Sequence, residues 1–251
     1  MPSGLTDRSY DHRQRPRSWA RASARPAVAF SERMHYGRLA MTNEQQGEQP
    51  LDVFEAMGTA RAMRWFRPEP VPWPLLERVL WAATRASSPN NVQAWDFVVV
   101  QDAEVRSRVG ALFATLLPPT APSPAPPAPD VDPTARRTTQ GAMNLMANFG
   151  EVPTIVFVCG TDVYPPASPD ISYMYSAVFA AAQNLIVAAR AVGLGAAFTM
   201  FHRFVEAPLR ELLAIPADQH ISVTIPVGWP ARPFGPLTRK PLELVVHHDG
   251  W

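Results

Sequence analysis

Apolar residues recur along this chain with two distinct periods from about Leu51 onward, so the segments that carry them read as helices and strands in alternation. Asp52 is placed to cap a short helix bearing Val53, Phe54 and Met57. Pro74 suits the first turn of a longer helix whose Leu75, Leu76, Val79, Leu80 and Ala83 recur at three- and four-residue spacing. Each helix is expected to bury one stripe. Ser88-Pro89-Asn90-Asn91 reads as a turn, Trp95–Val100 as a strand by its aromatic and β-branched content, and Asp102 caps a helix through about Leu117.

A helix to about Phe149, a buried strand over 154–159 and a long helix over 172–191 follow. That last helix is apolar nearly all round (Tyr175, Val178, Phe179, Ala182, Leu185, Ile186, Ala189), which predicts burial on several sides and makes an interface a natural home for one face. Strands over 196–201 and 221–227, a short helix between them and a tail over 242–247 complete an α+β pattern. No GxGxxG follows a strand, and no phosphate-binding P-loop occurs.

Two stretches break the periodicity. Residues 1–48 scatter arginines (Arg8, Arg13, Arg15, Arg17, Arg21) among Ser, Pro and Ala, which predicts a disordered Arg-rich N-terminal arm ahead of a domain over 49–251. A polyanion-binding or targeting arm is the functional alternative to a solvated extension. Residues 118–133 hold eight prolines, a composition that forms neither helix nor central strand, so a long loop is expected there, either a lid or a spacer.

Composition narrows the classes. A chain of 251 residues, 47% hydrophobic and 18% charged, can build one substantial core. A formal net charge of +1 gives no field that implies nucleic acid or an acidic membrane. Cys159 is the only cysteine, which excludes an internal disulfide and multi-thiolate metal sites and fits a cytoplasmic location. No apolar run approaches the roughly 20 residues that span a bilayer, so no membrane is expected.

Three separated segments suit one ligand. Arg61-Ala62-Met63-Arg64-Trp65-Phe66-Arg67 places guanidinium groups closely enough to fork onto a phosphate. Ser88 through Trp95 offers hydroxyl and carboxamide groups that both donate and accept, as the edge of an isoalloxazine and a ribityl chain require. Gly228-Trp229-Pro230-Ala231-Arg232, followed by Gly235 through Pro241 with Arg239 and Lys240, again offers cations.

Read together, Arg61-Ala62-Met63-Arg64 with Phe66 and Pro70-Val71, Ser88 with Asn91 and Gln93-Ala94-Trp95, Gln183-Asn184-Leu185 leading to Gly193-Leu194-Gly195, and Pro226-Val227-Gly228 through Arg239-Lys240-Pro241 resemble, in order, the landmarks of the nitroreductase family. The Arg-Ala-Met-Arg wording resembles an actinobacterial-type branch. The resemblance covers roughly 52–251 and implies a central, mostly antiparallel sheet flanked by helices in an intertwined homodimer, with FMN held between subunits. Carried over, Arg61, Ala62, Met63, Arg64 and Arg239 hold the phosphate and ribityl side from one subunit. Ser88, Asn91 and Gln93 approach from the other, and Gly195, Ala197 and Thr199 border the ring. Two departures stand: the family commonly has serine where Ala62 sits, and Gln-Pro-Trp reads Gln93-Ala94-Trp95 here.

The resemblance implies an FMN-dependent oxidoreductase that passes electrons from NAD(P)H to a small organic acceptor, a nitroaromatic, quinone or similar, by a ping-pong mechanism. The flavin N5 carries the chemistry, so no catalytic side chain is expected. That agrees with the lack of GxSxG and HExxH signatures. Reductive dehalogenation, flavin cleavage and non-catalytic FMN binding remain alternatives, and a nucleic-acid role would rest on the arm alone. Cys159 reads as core, His247-His248 lacks a third metal ligand, and a substrate-side role for His202 stays open.

Overall fold

Thr-Ile-Val-Phe-Val-Cys-Gly is apolar on both of its alternating faces, and such a strand is stable only between two layers. It forms β2 (Thr154–Gly160), buried at every position. The structure, a computed structural model, describes residues 50–118 and 133–251. The expectations for the arm at 1–48 and for the interior of the 118–133 loop fall outside the described residues.

β2 pairs antiparallel with β1 (Trp95–Val100) on one side and β4 (His220–Gly228) on the other. β3 (Gly195–Ala196) adds to the far edge of β4, which gives a four-stranded antiparallel sheet in the order β1-β2-β4-β3. One face carries Val156, Val158, Val223, Ile225 and Val227, covered by α2 (Trp73–Ala83) and α5 (Ile171–Ala191). The other carries Ile155, Phe157, Cys159 and Ile221, covered by α3 (Ala103–Ala114), the end of α4 (Pro133–Ala147) and α6 (Glu206–Leu213).

Ile221 and Val223 share a parity yet face opposite layers. The register explains it: Val158 opposes Val223 but Cys159 opposes Ile221, so Ser222 is the extra residue of a β-bulge that turns the end of β4 over.

α1 (Val53–Thr59) is capped by Asp52, whose side chain accepts from the Phe54 and Glu55 N–H groups. Its expected buried stripe is absent among the described residues: of this helix only Ala56 is buried, while Phe54 is 83% and Met57 54% exposed. The strand expected over 196–201 also contracts. The Thr199 N–H and Oγ1 both bond to the Thr224 carbonyl, the intervening residues leave the ladder, and a 3-10 turn follows at Phe201–Phe204. α5 is long and apolar enough to cross a bilayer, contrary to the expectation that no run approaches that length. Here Ala177, Val178, Ala181, Leu185 and Ala189 instead form the middle of a protein core.

Candidate functional site

The segment from Arg61 to Arg67 runs extended between two partners. The Met63 N–H bonds to the Ala196 carbonyl at 2.9 Å, and further along Arg67 N–H meets the Trp229 carbonyl at 2.9 Å and Ala231 N–H the Trp65 carbonyl at 3.0 Å. An arginine-rich strip is thereby clamped between β3 and the chain that follows β4. Met63 is 3% exposed and packs so tightly on Gly195 that a Cβ there would sit 2.6 Å from its Cγ. Met63 can therefore offer a ligand only backbone groups.

Around this strip several cations converge. The Arg61 guanidinium lies beside Gly235, 3.5 Å from where a Cβ would be, and Leu237 N–H bonds to the Gly58 carbonyl two residues before Arg239. Arg64 is half buried, its aliphatic stem against Gly141 of α4 and its carbonyl accepting from Asn144 Nδ2 at 2.9 Å. Burial first, and the Arg61 charge second, pull the Arg64 pKa below its ordinary value. Arg232 lies over the Trp65 ring at 3.5 Å. Arg190 reaches back from α5 to Thr59 Oγ1 at 2.9 Å and lies over Phe234.

The second group lies elsewhere. Ser88, Asn91 and Gln93 sit in the loop before β1, where Asn90, Asn91 and Gln93 all have φ between 47° and 54°. Left-handed backbone at successive non-glycine residues costs energy and is kept where the surroundings hold it. Two local bonds do so: Gln93 N–H to Ser88 Oγ at 3.1 Å and Gln93 Nε2 to Asn91 Oδ1 at 3.1 Å. The loop borders a small cleft with Thr161, Tyr164 and Met174, beside the first turn of α5.

One chain does not join the two groups. The arginine strip lies at the Gly228 end of the sheet, near the last turn of α5, whereas the Ser88 loop lies at the Gly160 end, near its first turn. Met174, beside the loop, and Arg190, beside the strip, lie 16 residues apart on α5, about 24 Å along the helix axis.

Gly195 lies in β3, Thr199 forms the bridge to Thr224, and Ala197 falls between them. Ala197 is 2% exposed, and the Thr199 hydroxyl is spent on Thr224, so these positions present backbone rather than side chains. The exposed member of the run is Phe198, edge-on to Phe179 at 5.8 Å. His202 is wholly buried with Nδ1 2.9 Å from Thr224 Oγ1, and burial pushes its pKa down to about 4; it is a core residue. Cys159 is buried too, its thiol pushed up to about 12. Sequence reasoning missed Asn144, Phe198 and the Arg232–Trp65 stack, which depend on contacts between distant segments.

The chain is similar to known proteins in both sequence and fold. The family model described as the nitroreductase family matches residues 58–229. A protein of Methanothermobacter thermautotrophicus, provisionally named NADH dehydrogenase/NAD(P)H nitroreductase, is 27% identical over 204 residues, 80% of this chain and 88% of its own. Among solved structures, iodotyrosine deiodinase bound to FMN and 3-iodo-L-tyrosine superposes with a TM-score of 0.61 at 20% identity, covering 80% of this chain and 100% of that one. A nitroreductase with bound FMN from Desulfitobacterium hafniense gives 0.59 at 16% identity, covering 78% and 98%.

Proposed function

The chain belongs to the nitroreductase family and is an oxidoreductase, and from that premise we infer that its domain over 49–251 binds FMN and passes electrons from NAD(P)H to a small organic acceptor, in a site completed by a second copy. The observation that carries this reading is the pair Arg61 and Arg64: no acceptor meets either guanidinium among the described residues, and one is half buried beside the other's charge. Two like charges held together without a carboxylate are a standing cost unless an anion joins them. A phosphate monoester is dianionic near neutral pH and matches the guanidinium fork.

FMN, when bound, supplies the two-electron carrier, and the protein supplies placement and electrostatics. Arg61, Arg64 and Arg239 would neutralise its phosphate, with the Ala62 and Met63 backbone alongside. Gly195, Ala197 and Thr199 would offer backbone groups to the ring, held in place by the Thr199–Thr224 bonds. The Ser88, Asn91 and Gln93 loop of the second copy would bring hydroxyl and carboxamide groups, preset by its internal bonds. The span that separates the two groups in one chain supports a shared site. The lone, buried thiol suits a cytoplasmic enzyme.

The test is the visible spectrum of the purified protein before and after anaerobic NADPH or NADH. Flavin absorbance that bleaches with reductant and returns with a nitroaromatic or quinone is the expected result. A yellow protein that ignores both nicotinamides would point to a flavin binder without this turnover, and a colourless one that cannot be loaded with FMN would overturn the reading.

A further inference from the structure

We propose that Arg232, stacked on Trp65, is a second phosphate subsite that takes the 2′-phosphate of NADPH and so sets the choice of electron donor. The inference rests on the FMN reading above and concerns a residue which that reading leaves unused.

Arg232 is held in place without being neutralised. Its guanidinium lies 3.5 Å from the centre of the Trp65 ring. The ring itself is fixed: a Cβ at Gly141 would lie 2.9 Å from its Cη2, and the Trp65 carbonyl accepts from Ala231 N–H, one residue before Arg232. Stacking occupies the flat face of a guanidinium and leaves its edge donors pointing outward. Among the described residues nothing accepts from them. Several other arginines do have acceptors: Arg210 meets Glu206 at 2.8 Å, Arg67 meets Glu69 at 3.9 Å, and Arg190 bonds to Thr59.

The FMN phosphate does not need Arg232. That group carries a charge of about −2, which Arg61, Arg64 and Arg239 already exceed. Arg232 stands beside them on the same lip, because the Ala231 bond ties its segment to the residue after Arg64. Two ligands must still enter the site, the nicotinamide donor and the organic acceptor, and of these the donor is the one that always carries phosphate. NADPH differs from NADH only by a 2′-phosphate monoester, a dianion that a pre-oriented guanidinium edge can grip with two parallel bonds. The pyrophosphate oxygens, common to both nucleotides, carry a single charge per phosphorus and would give no discrimination.

Arg232 is exposed, so Arg232→Gln is expected to fold as the parent does. Steady-state kinetics of the holoenzyme with NADPH and with NADH should show the NADPH KM raised about tenfold or more, with NADH KM and kcat within about twofold. Arg232→Lys should recover part of the loss. Calorimetric titration with adenosine 2′,5′-bisphosphate should show the same loss, while 5′-AMP is unaffected. Equal changes with both nucleotides, or no change with either, would overturn the subsite. The flavin-to-protein ratio reports separately on the FMN reading: a parent protein that holds no FMN would refute that reading, and the bisphosphate titration would still decide this one.

Discussion

Gly141 of α4 lies so close to Arg64 that a Cβ added there would sit 2.8 Å from the arginine's Cδ. Asn144, nearly one turn further along, donates to the Arg64 carbonyl, so α4 holds both the backbone and the stem of this residue. Gly141→Ala should gain up to about 1 kcal/mol of helix propensity. It should lose roughly 1–3 kcal/mol by overpacking against Arg64 and Trp65. A net fall in thermal midpoint with a lower flavin-to-protein ratio is expected; an unchanged ratio would show that Arg64 can move aside and still serve the site.

Removing the cations should act on flavin loading before it acts on folding. Arg239 is exposed, and the Arg64 guanidinium has no acceptor among the described residues, so neither anchors the core. Each charge-assisted contact to a phosphate is worth about 1.5–3 kcal/mol. Arg64→Ala and Arg239→Ala should each weaken FMN binding by about tenfold or more, with little change in the denaturation midpoint. FMN dissociation constants from fluorescence titration measure this directly. Full occupancy in the double variant would move the phosphate elsewhere.

The strands were legible where one period dominated. Trp95–Val100 forms the expected strand residue for residue, and β2 extends its expectation only to Gly160. α1 was legible as a helix but not in its burial, because the spacing of Val53, Phe54 and Met57 says that a face wants cover and not which molecule supplies it. The 196–201 run reads as a strand by composition, but the Thr199 hydroxyl competes with the ladder for the Thr224 carbonyl. Of the candidate site, residue types and order were readable. The Arg232–Trp65 stack and the Asn144 contact were not, since each joins segments far apart in the chain through tertiary packing.

His202 makes stability depend on pH in a defined window. Burial, partly opposed by Glu206, lowers its pKa from 6.5 to about 4 in the folded chain. Between those values the unfolded state binds more protons, so stability rises with pH across the window and is lost as pH falls through it. At about 1.4 kcal/mol per pKa unit the full effect is on the order of 3 kcal/mol. Urea midpoints at pH 7 and pH 5 should differ in that direction, and the difference should shrink in His202→Gln. An equal slope in that variant would assign the pH dependence to other groups.

Cys159 should behave as a reporter of unfolding. Burial, followed by the nearby Asp96 carboxylate, pushes its thiol up to about 12, so almost no thiolate exists at pH 8. A disulfide reagent is expected to leave the native protein unlabelled and to label one thiol per chain in guanidinium chloride. Rapid native labelling would mean that the sheet opens at β2 far more readily than its complete burial implies.

The last prediction concerns the faces that one chain leaves bare. Phe54 is 83% exposed on α1, and Phe179 projects from a helix whose other sides are buried, at 36% exposed. Where such groups form a contiguous patch, a partner is expected to cover it. If a second copy covers them, Phe179→Asp or Phe54→Asp should shift the sedimentation of the purified protein from dimer toward monomer. The same variants should lose flavin although neither residue belongs to the arginine strip, because the Ser88, Asn91 and Gln93 groups would no longer arrive from the partner. The order of events distinguishes the shared site from a self-contained one: flavin occupancy should fall in step with the dimer fraction as protein is diluted. Monomers that keep a full complement of FMN would show that a single chain completes the cradle, and the assignment of the Ser88 loop to the partner's flavin would have to be withdrawn.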